Sequence, residues 1–487
     1  MDYNHGVRPD LEAAVRSVDL RAWKTTTLEF GSETIELSVP PETEVLSMPT
    51  AAVLSDPGAA IEQALARPVA GPALGTIVRE KRTAAVDLTA AIAVSDITRP
   101  VPYKGRGGLL PPLLKALREA GVRRENITLI VGTGTHRPST AEEKAAMFGD
   151  EIARTYRVID HDGQDYGSLT HVGRTARGTE VHVNTAFVKA DVKVATGLVE
   201  SHFMAGVSGG RKAVCPALVD VRTIQKFHGP DFLESPLADN LILEGNHCHE
   251  EALEVAKTVG VDFTVNVTLD RDMRLTGAFA GDLEAAHRRA YEFMKGYTAI
   301  PLEREYDIVL THGGYSGRNH YQTAKAGCAA VRAVKPGGAV VIAADNRDRE
   351  PVGSPEYREL LGRLKTLGVE GYVEMIRDPG WTFTKDQWEP EVWGRVLRKV
   401  GEEGLVYCAP RVAAAEFVRL PGRPGWDFDD GPPDRSDAET ARTMVQNALR
   451  FLVAREREKG TPASVAVLRE GPYGIPCPGF RPAVSKL

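Results

Sequence analysis

Glu200-Ser201-His202-Phe203-Met204-Ala205-Gly206-Val207-Ser208-Gly209-Gly210-Arg211-Lys212 is the stretch whose reading decides the fold. An apolar run, residues 192–199, precedes it and reads as a buried strand. Beyond Pro216, residues 217–227 have helical apolar spacing, which would put His228 about four helical turns after Lys212. Strand, glycine-laden polar loop, helix is the unit of an α/β protein. In such folds ligands gather at the carboxyl ends of the strands. The loop offers a histidine, a lysine and three glycines that let backbone come close to a ligand, and is taken as the active-site cradle.

The same rhythm extends outward. Residues 90–94 form an apolar strand ending on Asp96-Ile97-Thr98-Arg99-Pro100. Residues 127–131 form another, ending on Gly132-Thr133-Gly134-Thr135-His136-Arg137-Pro138. A capping box, Ser139 with Glu142 or Thr140 with Glu143, then opens a helix. Upstream, alternating residues 25–30 and 34–39 flank Gly31-Ser32 as a hairpin. Downstream, the chain changes domain near residue 300, and strands at 307–310 and 339–344 enclose a helix at 319–334. The expectation is two α/β domains, 1–300 and 301–487, with the active site in the cleft between them. Residues 471–479, rich in glycine and proline, read as a loose tail.

Composition narrows the function classes. The chain has 487 residues, 42% hydrophobic and 26% charged, with a net charge of -6 and both signs interspersed. That balance speaks against a nucleic-acid or membrane partner. No apolar run reaches transmembrane length, and the first residues lack a basic-then-apolar leader. Five cysteines without paired spacing fit a reduced cytoplasm, the expected location.

Four groups fall at or near strand-to-loop transitions, where function concentrates. Arg99 suits a bidentate grip on a carboxylate and Asp96 suits orienting a histidine; an ion pair beside a proline turn is the plain alternative. His136 is a general base or a surface residue. Lys212, near His202, is a covalent tether or a counter-charge for phosphate, in a loop that is not a Walker motif because Arg211 separates Gly210 from Lys212. Gln322 and Lys325 share a helix face and hold an oxygen-rich ligand or are simply solvated. His247-Cys248-His249-Glu250 lacks the ligands of a closed zinc site, and His161, His171 and His182 read as single packing or surface residues. The signatures of serine hydrolases, zinc proteases and dinucleotide enzymes are missing.

Taken in order, Asp-x-Thr-Arg-Pro at 96–100, Gly-Thr-Gly-x-His-Arg-Pro at 132–138 and Ser-His-Phe-x-Ala-Gly-x-Ser-Gly-Gly-x-Lys at 201–212 resemble the lactate racemase family. Glu244-Gly245-Asn246 with His249-Glu250, Tyr321-Gln322-x-x-Lys325 and Asp386-Gln387-Trp388 continue the likeness, which covers about residues 85–400. The resemblance implies a nickel-pincer nucleotide bound covalently to Lys212, with nickel held also by His228. It implies His136 and His202 as alternating acid/base groups on opposite faces of a 2-hydroxy acid, whose C2 hydride passes to the cofactor and back. Arg99, Gln322 and Lys325 would hold the substrate carboxylate, Asp96 would orient His136, and Trp388, with Trp381 as its rival, would exclude water. Cofactor-building enzymes are then implied partners. A non-racemising, nucleotide- or metal-dependent oxidoreductase of hydroxy acids is the alternative activity. Cys215-Pro216-Ala217-Leu218 departs from the family's more usual aliphatic-Pro-Gly, and the residues after 411 match no motif.

Overall fold

The computed structural model describes residues 9–83 and 87–481. The chain divides into two compact units, one of residues 50–297 and one joining 1–49 to 298–487. Both are α/β, as expected.

In the 50–297 unit, six strands lie in the spatial order Leu275–Gly281, Phe263–Leu269, Val192–Leu198, Ala90–Ser95, Ile127–Gly132, Arg157–Asp160. The first is antiparallel to its neighbour and the other five run parallel. Parallel interior strands are covered on both faces and therefore read as unbroken apolar runs. Ala90 to Val94 is buried throughout, and Ile92, Val94, Leu129, Val131, Val194 and Val265 share one core. The order reverses between Ala90–Ser95 and its neighbour Val192–Leu198. Such a reversal opens a crevice beyond the carboxyl ends of the two strands, the usual ligand position in open α/β sheets. Asp96 follows one strand and the cradle follows the other.

The helix expected over 217–227 is shorter, Val221–Phe227. Asp220 caps it, accepting the N–H groups of Arg222 (2.9 Å) and Thr223 (3.1 Å), so the helix cannot start earlier. A separate single turn, Gly210–Ala213, holds Lys212. Lys212 and His228 are therefore not strung along one helix.

The other unit has six parallel strands in the order Arg423–Pro424, Leu405–Cys408, Val334–Ala343, Tyr306–His312, Val465–Leu468, Glu44–Leu46. Its last strand corrects the expected domain division. Residues 1–49 do not belong with 50–297, because Val45 pairs with Val467 at the edge of this sheet. The hairpin Lys24–Phe30 and Glu33–Val39 forms as read, and its apolar face needs cover. Leu28, Phe30, Ile35 and Leu37 share a core with Met444 and Leu449 of the helix Asp437–Glu458. Residues 471–479 are likewise not a loose tail: Ile475–Pro478 pairs in parallel with Ala299–Leu302. No helix among the described residues is long and apolar enough to cross a membrane.

Candidate active site

Asp96 begins the loop after its strand and is buried. Its Oδ1 accepts the Thr98 hydroxyl at 2.6 Å, and its Oδ2 lies 2.6 Å from His136 Nδ1. Burial works to raise the Asp96 pKa, but the hydrogen bond and charge of His136, with Thr98 and Arg99, outweigh it and hold the carboxyl below its ordinary range. An ionised carboxylate only accepts, so His136 Nδ1 carries the proton and Nε2 is the atom able to take up another. The His136 side chain is 53% exposed, open to a substrate while its far edge is fixed. Its loop is shaped by a tight turn, His136 N–H to Thr133 O at 2.8 Å, with Gly134 at φ +58°. The Thr140–Glu143 capping box then starts the next helix.

His202 sits in a two-residue strand pair, Ser201–His202 against Gly206–Val207. The turn demands glycine at 206: φ is +75°, and a Cβ there would lie 2.0 Å from Ile242 O. Met204 and Ala205 N–H groups donate to His202 Nδ1 at 3.2 and 3.3 Å. Nδ1 is thus an acceptor and the ring proton belongs on Nε2, which lies 3.0 Å from Lys212 Nζ. The two histidines therefore rest in opposite tautomers, one ready to accept a proton and one ready to donate.

Lys212 keeps part of its surface accessible, yet protein crowds its amine. That desolvation, followed by the charges of Arg99 and Arg211, pushes its pKa down to about 7. Arg211, almost fully buried, ties the loop together by donating to Ala205 O at 2.8 Å and contacting His287 Nε2 at 2.7 Å. Asn266 Oδ1 accepts the Gly210 N–H at 2.8 Å, so the cradle is held from a neighbouring strand as well.

His228 ends the helix Val221–Phe227 and is buried. Its Nδ1–H donates to Ile224 O at 2.9 Å, which leaves the lone pair on Nε2. Desolvation first, with the charges of Lys212 and His136 adding to it, pushes its pKa down to about 3. A neutral imidazole whose other nitrogen is bonded to a carbonyl is the state a metal-ligating histidine adopts. Arg99 meets the Glu200 carboxylate at 3.4 Å.

Gln322, Lys325 and Trp388 lie in the other unit. The first two are three residues apart on the helix His320–Ala330, half-buried and capped by Asn319. Trp388 opens the helix Trp388–Val400 and donates from Nε1 to Tyr321 Oη at 3.0 Å. Its rival Trp381 is committed to Gln387 Oε1 at 3.0 Å and to the Arg363 guanidinium. The charge of Lys325 reaches the buried Glu389, whose pKa burial drives upward.

The family model of the lactate racemase N-terminal domain matches residues 30–239. A lactate racemase of Lactiplantibacillus plantarum is 33% identical over 339 residues, 69% of this chain and 77% of that one. The chain belongs to the lactate racemase family. It is accordingly an isomerase of the racemase class. A second family member, the lactate racemase of Thermoanaerobacterium thermosaccharolyticum, is 30% identical over 339 residues, 69% of this chain and 76% of that one. The structure of the lactate racemase apoprotein from the same organism shares the fold, with a TM-score of 0.77 at 24% identity over 94% of this chain and 100% of that one. A Thermotoga maritima protein of known structure shows the fold more distantly, with a TM-score of 0.57 at 15% identity over 84% of this chain and 99% of that one.

Within that family frame, three residues stand out to which the sequence alone assigns no role. Glu200 is the partner of Arg99, Thr98 shares the Asp96 carboxylate, and Tyr321 accepts from Trp388. Each lies inside one of the motif stretches, but nothing in residue type alone says which neighbour it meets. His171 and His182 also differ from expectation. They face each other across paired strands, with ring centroids 4.9 Å apart.

Proposed function

We propose that the protein racemises or epimerises C2 of a 2-hydroxy acid, using a nickel-pincer nucleotide joined to Lys212 with its nickel held by His228. The donor set fits such a group: Lys212 is a desolvated amine suited to acylation, and the His228 tautomer presents Nε2 for a metal. Bound there, the group supplies a hydride acceptor for a C2–H too weakly acidic for a histidine base.

The chain's own residues manage the proton and the substrate. His136 takes the hydroxyl proton at Nε2, and the Asp96 carboxylate stabilises the resulting imidazolium through Nδ1–H. His202 offers Nε2–H from the other face; the ring then regains a proton from solvent at Nε2 while His136 releases the one it took, so both rings return to their resting tautomers. Arg99 exchanges Glu200 for the substrate carboxylate, a bidentate contact that Lys would not reproduce. Enzymes that build the nucleotide are the required partners, and a cytoplasmic location suits their supply.

The observation that supports this most is the pair of oppositely tautomeric histidines after strands of one sheet, one backed by Asp96 and one touching Lys212. Chiral chromatography of a panel of single-enantiomer 2-hydroxy acids, incubated with protein co-produced with the cofactor-building enzymes, tests it. Conversion of at least one acid to both configurations is expected. Oxidation to a keto acid without racemisation would contradict the reading.

A further inference from the structure

The Lys212–His202 contact has a direction, and the direction assigns a second task to His202. A hydrogen bond between Nζ and Nε2 at 3.0 Å runs either from an ammonium to an imidazole lone pair or from an imidazole N–H to an amine lone pair. The first choice needs the ring proton on Nδ1, where it would face the N–H groups of Met204 and Ala205 at 3.2 and 3.3 Å. Three donors would then converge without an acceptor, which is strongly unfavourable in a buried loop. The second choice satisfies both ring nitrogens and both amide N–H groups.

We propose that His202 serves Lys212 before it serves substrate: its Nε2–H donates to Nζ and holds Lys212 as the free amine, making it the preferred acylation site of the apoprotein. This deepens the reading above and rests on it only for the identity of the natural acyl donor. The surroundings agree. Arg99 and Arg211 both disfavour an ammonium, Glu200 at the start of the same loop is engaged by Arg99, and the thiols Cys215 and Cys248 are buried. Burial pushes the Cys215 thiol pKa upward, so that group stays neutral and offers no counter-charge. His228 adds none either, being neutral with its proton on Nδ1. The Phe227 ring lies 5.6 Å from Nζ and adds apolar bulk.

The reaction is simple to balance. The Nε2–H···Nζ hydrogen bond opens, the freed Nζ lone pair attacks the carbonyl carbon of an activated acyl group, the C–N bond forms, and the bond to the leaving group breaks. The leaving group departs as an anion, and one N–H proton passes to solvent. Once Nζ is an amide its lone pair is delocalised and no longer competes for Nε2–H, which is released toward substrate.

Acetyl phosphate labelling of the apoprotein, read by peptide mass mapping between pH 6 and 9, tests this. Lys212 is expected to label faster than the other lysines at pH 7, with a midpoint near neutrality. In His202→Phe the donor is lost and the ammonium regains ground. Labelling at pH 7 then falls roughly fivefold, as the free-amine fraction drops from about one half to about one tenth when the pKa rises by about one. His202→Gln retains an N–H donor and is expected to restore most of the rate. Unchanged or faster labelling in His202→Phe would overturn the proposal, because it would mean that Lys212 had been the donor. Should His202→Phe fail to fold, the ring 15N resonances of His202 in the wild-type apoprotein decide the same point. An unprotonated Nδ1 is expected and a protonated Nδ1 overturns it. Labelling needs neither nickel nor turnover, so it stands apart from the racemisation test.

Discussion

The loops after Ile127–Gly132 and Val192–Leu198 each present a histidine, and the two are prepared in opposite ways. His136 leans on a carboxylate, so its outer nitrogen is the one that accepts a proton. His202 leans on two amide N–H groups, so its outer nitrogen keeps a proton. The difference teaches that residue type does not set the role. The atom behind the ring does, and here a side chain supplies it in one loop and a tight glycine-dependent turn in the other.

That comparison can be broken by substitution. Replacing either histidine by alanine is expected to lower turnover by roughly 10²–10⁴-fold, the usual worth of a positioned acid or base. Bound nickel, measured by elemental analysis, should be unchanged in His136→Ala and, counted per Lys212 adduct, in His202→Ala. Loss of metal from His202→Ala chains that carry the Lys212 adduct would reassign that residue from proton transfer to ligation. Asp96→Asn removes only the support of His136 and is expected to cost less, about 10²-fold. The loss should fall on kcat and leave KM nearly unchanged, because the carboxylate holds the His136 ring. An Asp96→Asn enzyme with full kcat would mean that the carboxylate has no part in positioning His136.

A third histidine sharpens the contrast because it has no place in the proposed chemistry. His320 is fully buried, its ring stacked on Trp393 with centroids 4.6 Å apart and its Nδ1 3.0 Å from Tyr357 Oη. Burial pushes its pKa down to about 3 from an ordinary 6.5. The unfolded chain therefore binds this proton as pH falls through about 6.5, while the folded chain resists until about 3. Stability present above that window is lost progressively within it, at about 1.4 kcal/mol per pH unit for one proton. In His320→Phe the acid-side slope of denaturant-derived stability should be shallower by about that amount. An identical slope would show that His320 is accessible to protons in the folded state.

Much of the 50–297 unit is legible in the sequence because interior parallel strands are unbroken apolar runs that stop at glycine and polar residues. Ala90 to Val94 and Ile127 to Val131 announce themselves in this way, and Asp96, Arg99 and His136 sit in the loops that follow. What is not legible depends on distant partners. The pairing of Val45 with Val467 joins residues more than 400 positions apart, and no local pattern encodes it. Ile475–Pro478 reads as a tail because proline and glycine dominate its surroundings, yet a strand at an edge tolerates proline. The helix after Pro216 reads too long because apolar spacing continues upstream of Asp220, whose capping bonds set the true start. Within the site, the opposite tautomers of His136 and His202 are invisible to the sequence: Nδ1 contacts are a property of the folded loop.

The central claim is a covalent cofactor on Lys212 with nickel at His228, and intact-mass spectrometry paired with elemental analysis tests it most directly. Protein co-produced with the cofactor-building enzymes should carry a single adduct, mapped to Lys212, and about one nickel per chain. The Lys212→Ala variant should carry neither. An unmodified mass for the wild-type chain under those conditions, or an adduct that survives in Lys212→Ala, would contradict the account.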